Sequence, residues 1–146
     1  MHKSGEVLNS LITINNDRIK GYETALVETK DADLKSFFTQ FIQTSENAKS
    51  ELEAELVKLG EKPDDGTRLE GKIYRIWMDF KAAVTGKDRK AILSSCEFGE
   101  DVALNAYKEA LEEEHLDSTY RPMIESQKTM IKSEHDRVRM LRDASR

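Results

Sequence analysis

Four long stretches of this chain place apolar residues at every third or fourth position, and turn-forming residues separate them, a pattern that admits little besides an all-α bundle. The first stripe, Val7, Leu8, Leu11, Ile14, Tyr22, Ala25 and Leu26, predicts a helix over 6–29. Asp31 is placed to cap the next. The second stripe, Leu34, Phe37, Phe38, Phe41, Ala48, Leu52, Leu56 and Leu59, predicts a helix over 32–59, with Gly60 as its C-terminal stop. A third helix is expected over 88–114 and a fourth over 118–142, where Pro122 falls in the first turn and its missing N–H costs little. Only two prolines and seven glycines occur in 146 residues, so nothing else breaks the helices. A chain of this length is expected to form one domain, 1–146, burying roughly two-thirds of its unfolded surface.

The second and third helices are separated by a longer connection. It opens with the turn-forming KPDDG at 62–66 and carries an amphipathic piece of its own, Leu69, Ile73, Ile76, Trp77, Phe80 and Val84. A short helix over 67–85 is therefore predicted inside the crossover. Two hairpins joined by a connection long enough to travel the length of a bundle give an up, down, down, up order, which is the arrangement of ferritin-like folds.

The formal net charge of -5 argues against general attraction to nucleic acid or anionic membrane surfaces, both of which select basic patches. No apolar run approaches the roughly 20 residues that span a bilayer, and the N-terminus lacks the apolar region of a secretory signal, so a cytoplasmic location is expected. Cys96 is the single cysteine; without a partner for a disulfide or a Cys-x-x-Cys site, it reads as a small core residue.

Asp17, Gly21-Tyr22-Glu23-Thr24-Ala25, Leu59-Gly60, Gly71-Lys72-Ile73-Tyr74-Arg75-Ile76-Trp77, Glu97-Phe98-Gly99-Glu100, Ala106-Tyr107 and His135-Asp136-Arg137-Val138 resemble an uncharacterised bacterial family. That family is known as a ferritin-like four-helix-bundle domain of unknown function, and the likeness spans nearly the whole chain. The family places His ahead of Arg-x-Trp, where this chain carries Tyr74. The resemblance implies a fold and no activity.

Placing successive residues about 100° apart shows which polar side chains share the inward faces. Arg18 and Asn15 fall on the inward face of the first helix and Glu23 near its edge; Glu100 is inward on the third, with Glu97 toward the boundary. Gln127 and Glu134 are inward on the fourth, with His135 at the margin. At about 1.5 Å of rise per residue, Arg18, Ser45, Glu100 and Glu134 reach similar heights near the middle of the bundle. A buried guanidinium demands acceptors, so a network of Arg18, Ser45, Glu100 and Glu134 is predicted, completed by Asn15, Gln127, Tyr22 and Tyr107. Aromatic and sulfur-bearing positions such as Tyr22, Tyr107 and Met123 read as core rather than as a ligand pocket.

Ferritin-like di-iron proteins hold their metals with a Glu from each of two helices and Glu-x-x-His from each of the other two. Here Glu46 is followed three residues later by Lys49, and His135 is preceded at the matching position, three residues earlier, by Lys132 rather than Glu, so that pattern is broken. The alternative to an ion network is a site for iron or another divalent metal drawn from Glu23, Glu97, Glu100, Glu134 and His135. His2 and His115 lie at the chain start and a turn, and Glu112-Glu113-Glu114 reads as a solvated helix end. No phosphate loop, nucleophile elbow, HExxH or EF-hand spacing occurs, so no catalytic residue and no cofactor is predicted. The expectation is a non-enzymatic scaffold that self-associates as a homodimer through Ile73, Ile76, Trp77 and Phe80.

Overall fold

The computed structural model describes residues 3–63 and 89–145, and among them every regular element is helical. Helix α1 spans Lys3–Glu28, α2 Ala32–Lys58, α3 Arg89–Glu112 and α4 Arg121–Ala144; a 3₁₀ turn at Ser118–Tyr120 leads into α4. The predicted crossover helix over 67–85, with Tyr74 and the proposed interface residues Ile73, Ile76, Trp77 and Phe80, lies outside the described residues.

The helix ends follow from local chemistry. Gly60 adopts a φ of 75°, which side-chain-bearing residues rarely tolerate, and closes α2 with two reversed bonds: Gly60 N–H donates to Val57 O at 2.9 Å and Glu61 N–H to Leu56 O at 3.2 Å. Asp31 occupies the cap position of α2, yet its side chain makes no cap hydrogen bond and instead accepts from Arg89 at 3.3 Å. The expected cap is corrected to an inter-helix tie, because a nearby guanidinium is a stronger donor than a backbone amide. The fourth helix begins later than the predicted 118, because Asp117 accepts from Thr119 N–H at 2.9 Å and winds the first residues into a 3₁₀ turn. The Arg121 guanidinium donates to Leu111 O at 2.5 Å and Glu113 O at 3.1 Å, satisfying carbonyls that the end of α3 leaves open.

Side-chain contacts fix the directions. At one end Ser4 Oγ accepts from Asp117 N–H at 3.0 Å, and Gly5 lies against Glu61; at the other, Arg89 pairs with Asp31 and Asp33. Helix α1 therefore runs antiparallel to both α2 and α3. Glu97 and Tyr107 of α3 meet Arg142 and Gln127 of α4, and Thr44 and Ala48 of α2 meet Glu134 and Gln127, so α4 runs antiparallel to α3 and α2. Chain positions 63 and 89 consequently stand at opposite ends of the bundle.

Each helix buries a stripe with alternating spacings of three and four residues, as in other antiparallel bundles. On α1 it runs Leu8, Leu11, Asn15, Arg18, Tyr22, Ala25; on α2 Leu34, Phe38, Phe41, Ser45, Ala48, Leu52; on α3 Cys96, Glu100, Ala103, Tyr107, Ala110; on α4 Ile124, Gln127, Ile131, Glu134, Val138, continued by Tyr120 of the preceding turn. The apolar members form two clusters. One gathers Leu8, Leu11, Leu52, Leu56, Tyr107 and Ile124; the other gathers Tyr22, Leu34, Phe38, Phe41, Cys96 and Val138. Each fully buried Leu or Phe contributes about 1.5–3 kcal/mol. Helix α1 is covered beyond its stripe, since Thr13, Asn16 and Asp17 are also buried. No described helix is long and apolar enough to cross a membrane.

Candidate functional site

Between the two apolar clusters the stripes carry polar residues, and the helices bring them together in two layers. In the first, the Arg18 guanidinium uses all three of its nitrogens. Nε donates to Glu100 Oε1 at 2.8 Å, Nη1 to Ser45 Oγ at 2.5 Å and Nη2 to Glu134 Oε1 at 2.9 Å, while Nη2 also lies 2.7 Å from Glu100 Oε1. One residue from each helix thus meets at one point. Arg18 is 1% exposed, Glu100 0% and Glu134 4%, so the pairs are dry. Tyr22 donates its hydroxyl to the same Glu100 oxygen at 2.9 Å, and Thr44 Oγ1 lies 2.5 Å from Glu134 Oε2.

Burial alone pulls the Arg18 guanidinium toward losing its proton; Glu100 and Glu134 more than reverse this and hold it well above its ordinary value. Burial pushes the Glu134 carboxyl up, with Arg18 opposing the shift. The Tyr22 hydroxyl and Cys96 thiol are both pushed up by burial and by the neighbouring Glu100, so neither serves as a ready nucleophile.

The second layer also crosses the whole bundle. Asn15 donates to Leu11 O and to the Tyr107 hydroxyl, each at 2.9 Å; Tyr107 donates to Gln127 Oε1 at 2.6 Å; Gln127 Nε2 donates to Ala48 O at 3.3 Å and Glu51 at 3.2 Å. The tyrosine accepts from one amide and donates to another, which fixes its hydroxyl hydrogen. Burial pushes this hydroxyl up as well.

The remaining acids named in the metal alternative do not converge on this point. Glu23 is exposed on α1. Glu97 accepts from Arg142. His135 lies at the α3–α4 edge with Nε2 2.7 Å from Asp101, 3.8 Å from Glu97, and Nδ1 3.1 Å from Asp136. The Asp136 carboxyl is held below its ordinary value by Lys132 and then by His135. Among the described residues, no group of three or more His, Cys, Asp or Glu side chains is arranged to hold a metal ion. Glu100 and Glu134 already share a protein cation, which would repel a metal from the same space. This donor set does not fit a two-metal centre.

Asp101 is the member of the His135 group that the face count passes over. Its signal was present: Asp101 stands four residues after Glu97, so the two acids share a flank of α3. An exposed acid gives no reason on its own to be singled out, and only the partner helix supplies one.

The chain belongs to the family described as Domain of unknown function (DUF2383). The family model matches residues 3–113. Within this DUF2383 domain the match takes in Arg18, Ser45 and Glu100 together with Asn15 and Tyr107, and it ends before α4, which brings Gln127 and Glu134. A comparison with curated proteins finds no match.

Proposed function

We propose that this DUF2383 protein is a ferritin-like bundle acting as a non-enzymatic, self-associating scaffold, in which an Arg/Glu network stands where related folds carry two metals. The observation that carries the reading is the Arg18 guanidinium at the centre, bonded to carboxylates from α3 and α4 and a hydroxyl from α2. A dry guanidinium already bonded through each of its three nitrogens is poorly placed to receive a substrate. The helix directions support the ferritin-like order: positions 63 and 89 lie at opposite ends, as a crossover of that fold requires.

Self-association rests on a different feature. An open groove of about 770 Å³ runs along α4, lined by Phe37, Met140 and Leu141 with Lys132, Asp136 and Arg137 at its polar margin. Met140 is 72% exposed there, an apolar contact that a second copy would cover.

Two measurements on the full chain test the proposal. Protein purified without chelators is expected to hold well under one equivalent of iron, manganese or zinc; stoichiometric metal would overturn the network reading. Sedimentation equilibrium is expected to give a concentration-dependent dimer. A monomer at the highest concentrations would remove the self-association, leaving the network untouched.

A further inference from the structure

We propose that Glu134 is the protonated member of the buried triad: a neutral carboxylic acid that donates to Thr44, while Glu100 supplies the charge that balances Arg18. Among the described residues the network's ion pairs are Arg18 with Glu100 and Arg18 with Glu134, so one guanidinium faces two carboxyls. With both ionised, one negative charge remains uncompensated in a dry core, a state that burial strongly disfavours. One proton removes it.

Hydrogen-bond inventory identifies which carboxyl holds that proton. The Thr44 hydroxyl lies 2.5 Å from Glu134 Oε2 and 3.2 Å from the backbone carbonyl of Gln40. Both neighbours would be acceptors if Glu134 were ionised, and a threonine hydroxyl has a single hydrogen. A protonated Oε2 satisfies all three groups: Glu134 donates to Thr44, and Thr44 donates to Gln40. The two acids also differ in the donors they receive. Glu100 Oε1 takes Arg18 Nε, Arg18 Nη2 and the Tyr22 hydroxyl, whereas Glu134 takes one guanidinium N–H at Oε1. Strong donors favour the charged form, so the charge resides on Glu100.

The groups facing Glu134 are Arg18 from α1, Thr44 from α2 and Glu100 from α3; on its own helix, His135 is engaged with Asp101 and Asp136 instead. Burial raises the Glu134 carboxyl above its ordinary value, with Arg18 and the Thr44 hydrogen bond opposing and Glu100 adding to the rise. The device is a proton-held junction of all four helices. Acid closes it, and rising pH opens it by leaving a second buried charge.

Carbon-detected NMR of the side-chain carboxyls across a pH series tests this on the intact chain. The Glu134 Cδ resonance is expected to titrate with a midpoint above those of the exposed Glu109 and Glu125. A midpoint at or below theirs overturns the proposal. Assignment by through-bond correlation needs no destabilising variant.

Discussion

Arg18 and Glu100, 82 residues apart in the chain, are joined through a single carboxylate oxygen that receives both Nε, at 2.8 Å, and Nη2, at 2.7 Å. The same oxygen accepts from Tyr22, so α1 delivers three donors from two residues one turn apart to one atom of α3. The fork of the guanidinium is what makes this possible, and lysine could not reproduce it.

Removing that fork is expected to be costly. Arg18→Ala leaves the Glu100 carboxylate buried without a counter-charge and Glu134 without its guanidinium partner, and urea unfolding should show a loss of roughly 3–5 kcal/mol. A loss under about 1 kcal/mol is what an exposed pair gives, and it would mean that the guanidinium is not buried.

The two buried tyrosines should respond differently to losing their hydroxyls. Tyr107→Phe strands both an Asn15 donor and a Gln127 acceptor, with an expected cost of about 1–3 kcal/mol. Tyr22→Phe removes one of three donors to Glu100 Oε1, leaving the carboxylate bonded, so about 0.5–1.5 kcal/mol is expected. Equal losses in chemical denaturation would contradict the layered network.

Two acids should give stability opposite dependences on pH. Asp33 is held below its ordinary value by Arg89, so its contribution is present above the unfolded value and is lost as pH falls through the lowered one. Glu134 is raised; its contribution is present below the unfolded value and is lost as pH rises through the raised one. Unfolding curves at several pH values should show Arg89→Ala weakening the acid-side loss, and Glu134→Gln gaining on the natural chain as pH rises. A Glu134→Gln protein destabilised equally at every pH would remove the linkage. The Arg89 effect should be small and fade with added salt, because its partners are solvent-exposed.

Gly60→Ala isolates a backbone effect. A Cβ at this position meets nothing within 4 Å, so only the positive φ of 75° opposes it, and a loss of roughly 1–2 kcal/mol is expected in thermal or urea unfolding. Gly60→Asn should recover part of that loss, since asparagine tolerates the left-handed region better.

The amino-acid sequence by itself determined the four long helices and their inward faces, because a period of three and four residues is a local property that backbone geometry turns directly into a stripe. Arg18, Glu100 and Glu134 could be placed on those stripes for the same reason, and Gly60 marked the end of α2 through its own conformational freedom. Partner choice belonged to the tertiary structure. Asp31 looks like a helix cap until Arg89 arrives from a helix 58 residues away, and Asp101 is an ordinary surface acid until α4 sets His135 beside it. The sharing of one Glu100 oxygen among three donors, and the placing of the Thr44 hydroxyl between Glu134 and the Gln40 carbonyl, were likewise decided only by packing. Hydrogen bonds are won or lost over a few tenths of an ångström, a precision that the spacing of residues along a helix cannot specify.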